Sequence, residues 1–142
     1  TTNNRYAAII TDAQSGRVID GTNADQRLYP ASITKLMTLF LTFEAVQRGR
    51  LHMDKDLRIS LNATRQPPTK LGVKPGDRLT VKQAVLALIT RSANDAAVVL
   101  AENIGGSEAA FADLMNKRAR SLGMANTHFM NASGLPNGAQ LT

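Results

Sequence analysis

A serine and a lysine three residues apart, Ser32 and Lys35, stand at the head of the most apolar run of the chain, LYPASITKLMTLFLTFEAV. Residues i and i+3 share one face of a helix, so this spacing sets a hydroxyl beside an amine. Apolar neighbours disfavour the ammonium form, which makes the lysine a base able to take the serine's proton. A helix start adds backbone N–H groups and the positive end of the dipole, suited to the oxyanion that forms when the serine attacks a carbonyl. The S-x-x-K pattern alone arises by chance about once in a chain of this length. It also has an ordinary explanation, with Ser32 opening the helix and Lys35 running its ammonium out to solvent.

A second polar element, Ser92-Ala93-Asn94, lies between two helical patterns. A short loop at such a junction can present a hydroxyl and a side-chain amide to a cleft. Ser92 could there relay a proton to a leaving nitrogen, and Asn94 could hold a substrate amide or orient Lys35. The alternative is that Ser92 or Asn94 caps the helix that follows.

Composition narrows the classes. The 142 residues are 43% hydrophobic, enough for one domain with a core, and contain no cysteine and two histidines, His52 and His128. Disulfides are therefore excluded, the histidines argue against a protein-built zinc site, and the residues call for no cofactor. The net charge of +6 raises nucleic acid as a partner, but the 17 basic residues are scattered and aromatics are 4%. The one dense basic run, NKRAR from Asn116 to Arg120, lies on a helical pattern where a solvated face accounts for it, so nucleic-acid binding is not expected. No stretch is long and apolar enough for a membrane span, and Thr1 to Tyr6 lacks a leader pattern, so the sequence reads as a soluble, processed or trimmed product.

The elements that must hold these residues are legible in outline. Tyr6 to Ile10, polar turn residues through Gly16, and Val18-Ile19 read as a β-hairpin, which must join further strands or pack on helices. Pro30 before the start and Gly49 after the end bound a helix of about Ala31 to Arg48. Nine of its fourteen residues between Ile33 and Val46 are apolar, which predicts burial on most sides and a central place in the domain. Leu51 to Lys74 reads as a long loop with at most a short strand. Thr80 is an N-cap for a helix with Val81, Val85, Leu88 and Ile89 on its inner face. A further helix spans about Asp95 to Ile104, and another starts at Ser107 with Phe111, Leu114, Met115 and Leu122 on one face and stops at Gly123. The tail from Asn126 reads as loop. The fold class is α+β, a helical cluster with an N-terminal hairpin.

SITK at Ser32 to Lys35 and SAN at Ser92 to Asn94 resemble the first two of three motifs of the penicillin-recognising serine enzymes. The surrounding YPASITKLMT, GDRLTVKQAVLALITRSANDAAVVLAENIGGS and MNKRARSLGMANTHFMNASGL look like the D-alanyl-D-alanine carboxypeptidases among the low-molecular-mass penicillin-binding proteins. The resemblance implies that Ser32 is the acylated nucleophile, Lys35 its general base, Ser92 a proton relay and Asn94 a substrate contact. It further implies a β-lactamase/transpeptidase-like domain, a peptidoglycan stem peptide ending in D-Ala-D-Ala as substrate, β-lactam antibiotics as acylating ligands, and a place in the bacterial periplasm or on the outer face of the cytoplasmic membrane.

The third motif of that family, K-T-G on a closing strand, does not follow Ser92. Lys70-Leu71-Gly72 precedes it in a Pro-rich loop and reads as coincidence. Residues 1–142 are thus expected to form a partial domain, with the later strands and a second oxyanion donor absent; losing one such donor typically costs about a hundredfold in rate. A bare hairpin edge is expected to promote self-association, and any membrane anchor would lie outside this sequence. A class A β-lactamase is a competing reading, in which Glu102 or Glu108 would have to serve deacylation. An envelope-binding module without chemistry is another, in which Lys35 would keep an ordinary pKa.

Overall fold

The structure is a computed structural model and describes residues 6–141. Thr1 to Arg5, most of the stretch read for a leader, and Thr142 lie outside the described residues.

Strands β1 (Ala8–Thr11) and β2 (Val18–Thr22) form the expected antiparallel hairpin, with Ala8 opposite Thr22 and an irregularity between Ile10 and Thr11. Its turn is held by the Asp12 carboxylate, which accepts the backbone N–H groups of Gln14 and Ser15 and the Ser15 hydroxyl. Among the described residues no third strand joins it, and Ile9, Ile10, Val18 and Ile19 are all more than half exposed.

A 3-10 turn at Ala31–Ile33 leads into α1 (Thr34–Gln47), followed by α2 (Leu61–Thr64), α3 (Val81–Arg91), α4 (Asn94–Gly105) and α5 (Glu108–Ser121). The α+β class is as expected. Caps fix most boundaries. Thr80 and Gln83 form a reciprocal capping box at the start of α3, Ser107 accepts the Ala110 N–H at the start of α5, and left-handed Gly106 ends α4. The segment between α1 and α3 is more ordered than the loop expected there. It contains the one-turn α2, capped by Ser60, and a bridge pairing Asp56 with Thr80.

The central helix is α4, not α1. Every residue from Asn94 to Ala101 is buried, and α4 packs against α1, α2, α3 and α5. Its alanines and valines let four neighbours come close, and Gly105 is needed where α5 crosses, because a Cβ there would lie 2.8 Å from the Phe111 nitrogen. By contrast, α1 turns its polar side inward. Thr34, Lys35, Thr38 and Thr42 are buried together with Met37 and Ala45, whereas Leu36 and Phe43 are 65% and 47% exposed. Burying Thr38 and Thr42 is tolerated because their hydroxyls find acceptors: Thr42 donates to the Thr38 carbonyl at 2.8 Å and Thr38 to the Ala132 carbonyl at 2.7 Å.

Two other helix faces also differ from expectation. Ile89 sits at the rim of the buried stripe of α3 and is exposed, as are Leu114 and Leu122 at α5. The inner side of α5 is instead Phe111, Ala112, Met115, Asn116 and Ala119. NKRAR is therefore only partly a solvated face, since Asn116 and Ala119 are buried and Arg118 pairs with Glu44 at 3.0 Å while lying over the Phe40 ring.

Replacing a fully buried branched side chain in α4 should leave a cavity, whereas the outer residues of α1 have little packing to lose. Leu100→Ala is expected to lower the unfolding free energy by about 2–5 kcal/mol and Leu36→Ala by no more than about 0.5 kcal/mol, as read from urea midpoints of the two variants.

Candidate active site

Ser32 lies in the 3-10 turn, just after Ala31, whose backbone has a positive φ of 48°. The serine is exposed, and its N–H makes no hydrogen bond among the described residues, so an incoming oxygen could take it. One turn of helix further, the Lys35 side chain points inward and is 4% exposed. Its Nζ lies 3.2 Å from Ser32 Oγ, 2.8 Å from Asn94 Oδ1 and 2.6 Å from the Ser133 carbonyl oxygen. The lysine does not reach out to solvent.

Those partners also determine direction. A carbonyl oxygen can only accept, so the Ser133 contact takes one N–H of the amine. The Asn94 amide is oriented by its other end, where Nδ2 donates to the Pro67 carbonyl at 2.9 Å and leaves Oδ1 facing Lys35. A neutral amine has two hydrogens and one lone pair. With both hydrogens engaged by Asn94 and Ser133, the lone pair is directed toward the Ser32 hydroxyl. Burial pushes the Lys35 pKa below the ordinary lysine value, since charging the group there forfeits its hydration.

Ser92 ends α3 in the left-handed conformation, with φ 51°. Neither Ser92 nor Asn94 caps α4; Ala93 is its N-cap residue and makes no side-chain cap. The backbone of Ser92 is tied to the preceding loop by its carbonyl, which accepts the Thr69 hydroxyl at 3.1 Å. Among the described residues its own hydroxyl has no hydrogen bond to Ser32 or Lys35. The structure thus joins Ser32, Lys35 and Asn94 in one hydrogen-bonded set and leaves Ser92 on the adjoining turn.

Three further contributors are not singled out by any motif in the sequence. The loop before α3 supplies the Pro67 carbonyl, and its Thr69 carbonyl accepts the Asn94 N–H at 2.8 Å. Asp95, fully buried, holds that loop by accepting the N–H groups of Leu71, Gly72 and Val73 at 2.8–3.3 Å. The motif-like Lys70-Leu71-Gly72 is therefore part of a loop anchored on α4 and not of a strand. The third contributor is the tail, which supplies the Ser133 carbonyl. A cavity of about 380 Å³ bordered by Tyr29, Pro30, Leu135 and Pro136 opens beside the serine's turn. A second, of about 420 Å³, lies near the far end of α1 among Glu44, Arg48 and Lys117 and does not touch Ser32 or Lys35.

Glu102 and Glu108 are engaged elsewhere. Glu102 accepts from Asn62 at 2.9 Å and Glu108 accepts the Ala132 N–H at 3.2 Å. Among the described residues neither is hydrogen-bonded to Ser32 or Lys35.

Comparison with known proteins gives a consistent result. The family described as D-alanyl-D-alanine carboxypeptidase matches residues 3–142. The chain is 39% identical over 129 residues to the D-alanyl-D-alanine carboxypeptidase DacF of Bacillus subtilis, covering 91% of this chain and 33% of the relative. Its fold is similar to the crystal structure of the D-alanyl-D-alanine carboxypeptidase DacD of Francisella tularensis, with a TM-score of 0.92 and 41% identity over 94% of this chain and 32% of the other. It is similar as well to penicillin-binding protein D2 of Listeria monocytogenes in its ampicillin-bound form, with a TM-score of 0.83 and 33% identity over 97% of this chain and 56% of the other. The chain spans about a third of the length of the curated relatives it matches.

The lowered pKa of Lys35 has a consequence for stability. Between the folded value and the ordinary lysine value the unfolded chain binds the extra proton, so stability rises with pH across that window, and the penalty for burying the charge is fully present below it. Relative to Lys35→Met, the native chain is expected to gain stability as pH climbs through this window. Urea unfolding of both proteins at a series of alkaline pH values checks it, and parallel curves would contradict the shift.

Proposed function

Because this chain belongs to the D-alanyl-D-alanine carboxypeptidase family, we propose that it carries the nucleophile and base of a serine D-alanyl-D-alanine carboxypeptidase acting on peptidoglycan stem peptides. The observation that carries this reading is the buried Lys35 amine, hydrogen-bonded to Ser32 Oγ while Asn94 and Ser133 take its other directions.

In the proposed reaction the Lys35 amine takes the Ser32 hydroxyl proton as Oγ attacks the carbonyl carbon between the two terminal D-alanines. The Ser32 N–H faces the oxyanion that develops. Collapse breaks the C–N bond, Ser92 relays a proton to the departing D-alanine nitrogen, and the rest of the peptide remains as an ester on Ser32. Water then cleaves that ester. Asn94 serves the substrate through its amide and keeps Lys35 oriented. The cavity beside Tyr29 and Leu135 offers room for the acyl portion. With a penicillin the same attack opens the lactam ring, whose nitrogen stays tethered, so the whole drug remains on the enzyme.

The setting that fits this substrate is outside the cytoplasm, in the periplasm or on the outer face of the cytoplasmic membrane. No helix among the described residues is long and apolar enough to cross a membrane. Residues 1–142 act on this reading as a partial domain, and the exposed hairpin edge is a place for self-association. A binding module without chemistry calls for an ordinary Lys35, and the direction of its pKa argues against that. A β-lactamase calls for a free glutamate at the serine, and the engagement of Glu102 and Glu108 argues against it.

Intact-mass spectrometry after incubation with benzylpenicillin tests the proposal. The native chain is expected to gain the mass of one whole penicillin and Ser32→Ala none. Equal labelling of both, or labelling of neither, would count against a competent nucleophile in this chain.

A further inference from the structure

The tail from His128 to Leu141 has no helix or regular strand, yet it is tied down along its length. Asn116 grips Phe129 through both its N–H and its carbonyl, at 2.7 and 2.8 Å. Buried Gln140 accepts the N–H groups of Met130 and Asn131, each at 3.1 Å. Asn131 in turn accepts from the Gly134 N–H at 2.8 Å and the Ser133 N–H at 3.3 Å, and donates to the Leu135 carbonyl at 3.0 Å. The outcome is a tight turn at 131–135 whose Ser133 carbonyl meets the Lys35 amine.

Gly134 is where that turn meets the nucleophile. Its φ is +83°, and a Cβ there would fall 1.7 Å from the Ala31 carbonyl oxygen and 3.0 Å from Thr34 Oγ1. The first obstacle is backbone, and it belongs to the residue before Ser32, so no side-chain rearrangement can clear it. Thr34 is buried, and its hydroxyl has no hydrogen-bond partner among the described residues. Space at this contact has been given to the approach of two backbones, not to satisfying that hydroxyl.

We propose that Gly134 and Asn131 are positioning residues for the base: Gly134 lets the 131–135 turn seat on the Ala31 carbonyl, and Asn131 holds the turn so that the Ser133 carbonyl closes the site over Lys35. This deepens the reading of Lys35 as base and rests on it. Both act on the base through the Ser133 carbonyl, and Gly134 also borders the cavity beside Tyr29 and Leu135. Their effect is to exclude water from the amine and to keep its remaining direction on Ser32. When the turn cannot seat, water reaches Lys35 and the desolvation that lowers its pKa is relieved.

The test follows the side-chain carbon next to Nζ of Lys35 by NMR of lysine-labelled protein through an alkaline titration, with the resonance assigned by its loss in Lys35→Met. Gly134→Ala is expected to raise the Lys35 midpoint by about one unit or more, a tenfold loss of free amine at lower pH. Acylation by benzylpenicillin should fall by a similar factor at neutral pH and recover as the pH approaches the new midpoint, a pH rescue that general loosening of the fold would not produce. Gly138→Ala is the control, since it makes the same change in the same tail where a Cβ meets nothing within 4 Å, and its midpoint should stay put. If Gly134→Ala does not fold, Asn131→Ala decides by the same readout, an upward shift supporting the proposal. A folded Gly134→Ala chain with the native midpoint, or an unshifted Asn131→Ala when that variant decides, overturns it. An ordinary midpoint in the native chain would overturn the base reading itself, which separates the two failures.

Discussion

A lysine taken out of water has to be met by hydrogen-bonding partners, and the three that meet Lys35, with the carbonyl that orients one of them, come from four separate parts of the chain. Ser32 is its helical neighbour, Asn94 begins α4, the Ser133 carbonyl belongs to the tail, and the Pro67 carbonyl orients Asn94 from the loop before α3. No carboxylate is among them. A counter-charge would stabilise the ammonium and abolish the base, so neutral dipoles do what an ion pair would do elsewhere. With Asn94 and Ser133 taking two directions of the amine, its third contact is one hydroxyl, that of Ser32.

The same device recurs one residue further along. Asp95 is buried without a cation and is surrounded by backbone N–H groups from Leu71, Gly72 and Val73. Consecutive residues of α4 therefore join the two sides of the site, Asn94 holding the amine and Asp95 holding the loop whose Pro67 carbonyl holds Asn94. This explains why α4 is the most deeply buried helix. Its start organises chemistry, and its small side chains let four helices close around it.

What could be read in advance followed local physics. Ser32 and Lys35 were visible from helical spacing, Thr80 and Ser107 from capping chemistry, Gly49 and Gly123 from left-handed helix ends, and the hairpin from an apolar run rich in β-formers and a polar turn. The orientation of α1 was not, because counting apolar residues says how many there are and not which side faces the core. Threonines at 34, 38 and 42 are spaced to form one stripe, and the acceptor for the Thr38 hydroxyl at its middle, the Ala132 carbonyl, is brought by the distant tail. The Pro67 and Ser133 carbonyls were illegible because every residue has a carbonyl. Asn131 followed by Ser133 and Gly134 did carry a cue, since an asparagine two or three residues before a glycine is suited to a side-chain-closed turn, but nothing local says what that turn touches.

The inverted arrangement of α1 reaches beyond the site. Together with the hairpin it leaves Ile9, Ile10, Ile19, Ile33 and Leu36 more than half exposed to water in the folded chain. Unfolding can newly hydrate only the apolar surface that folding had removed, and these groups contribute little to it. The heat-capacity increment of unfolding should then fall below the usual ~12–15 cal/mol/K per residue. A smaller increment flattens the dependence of stability on temperature, so this chain would resist cold better than its modest core suggests, and melt over a broader range.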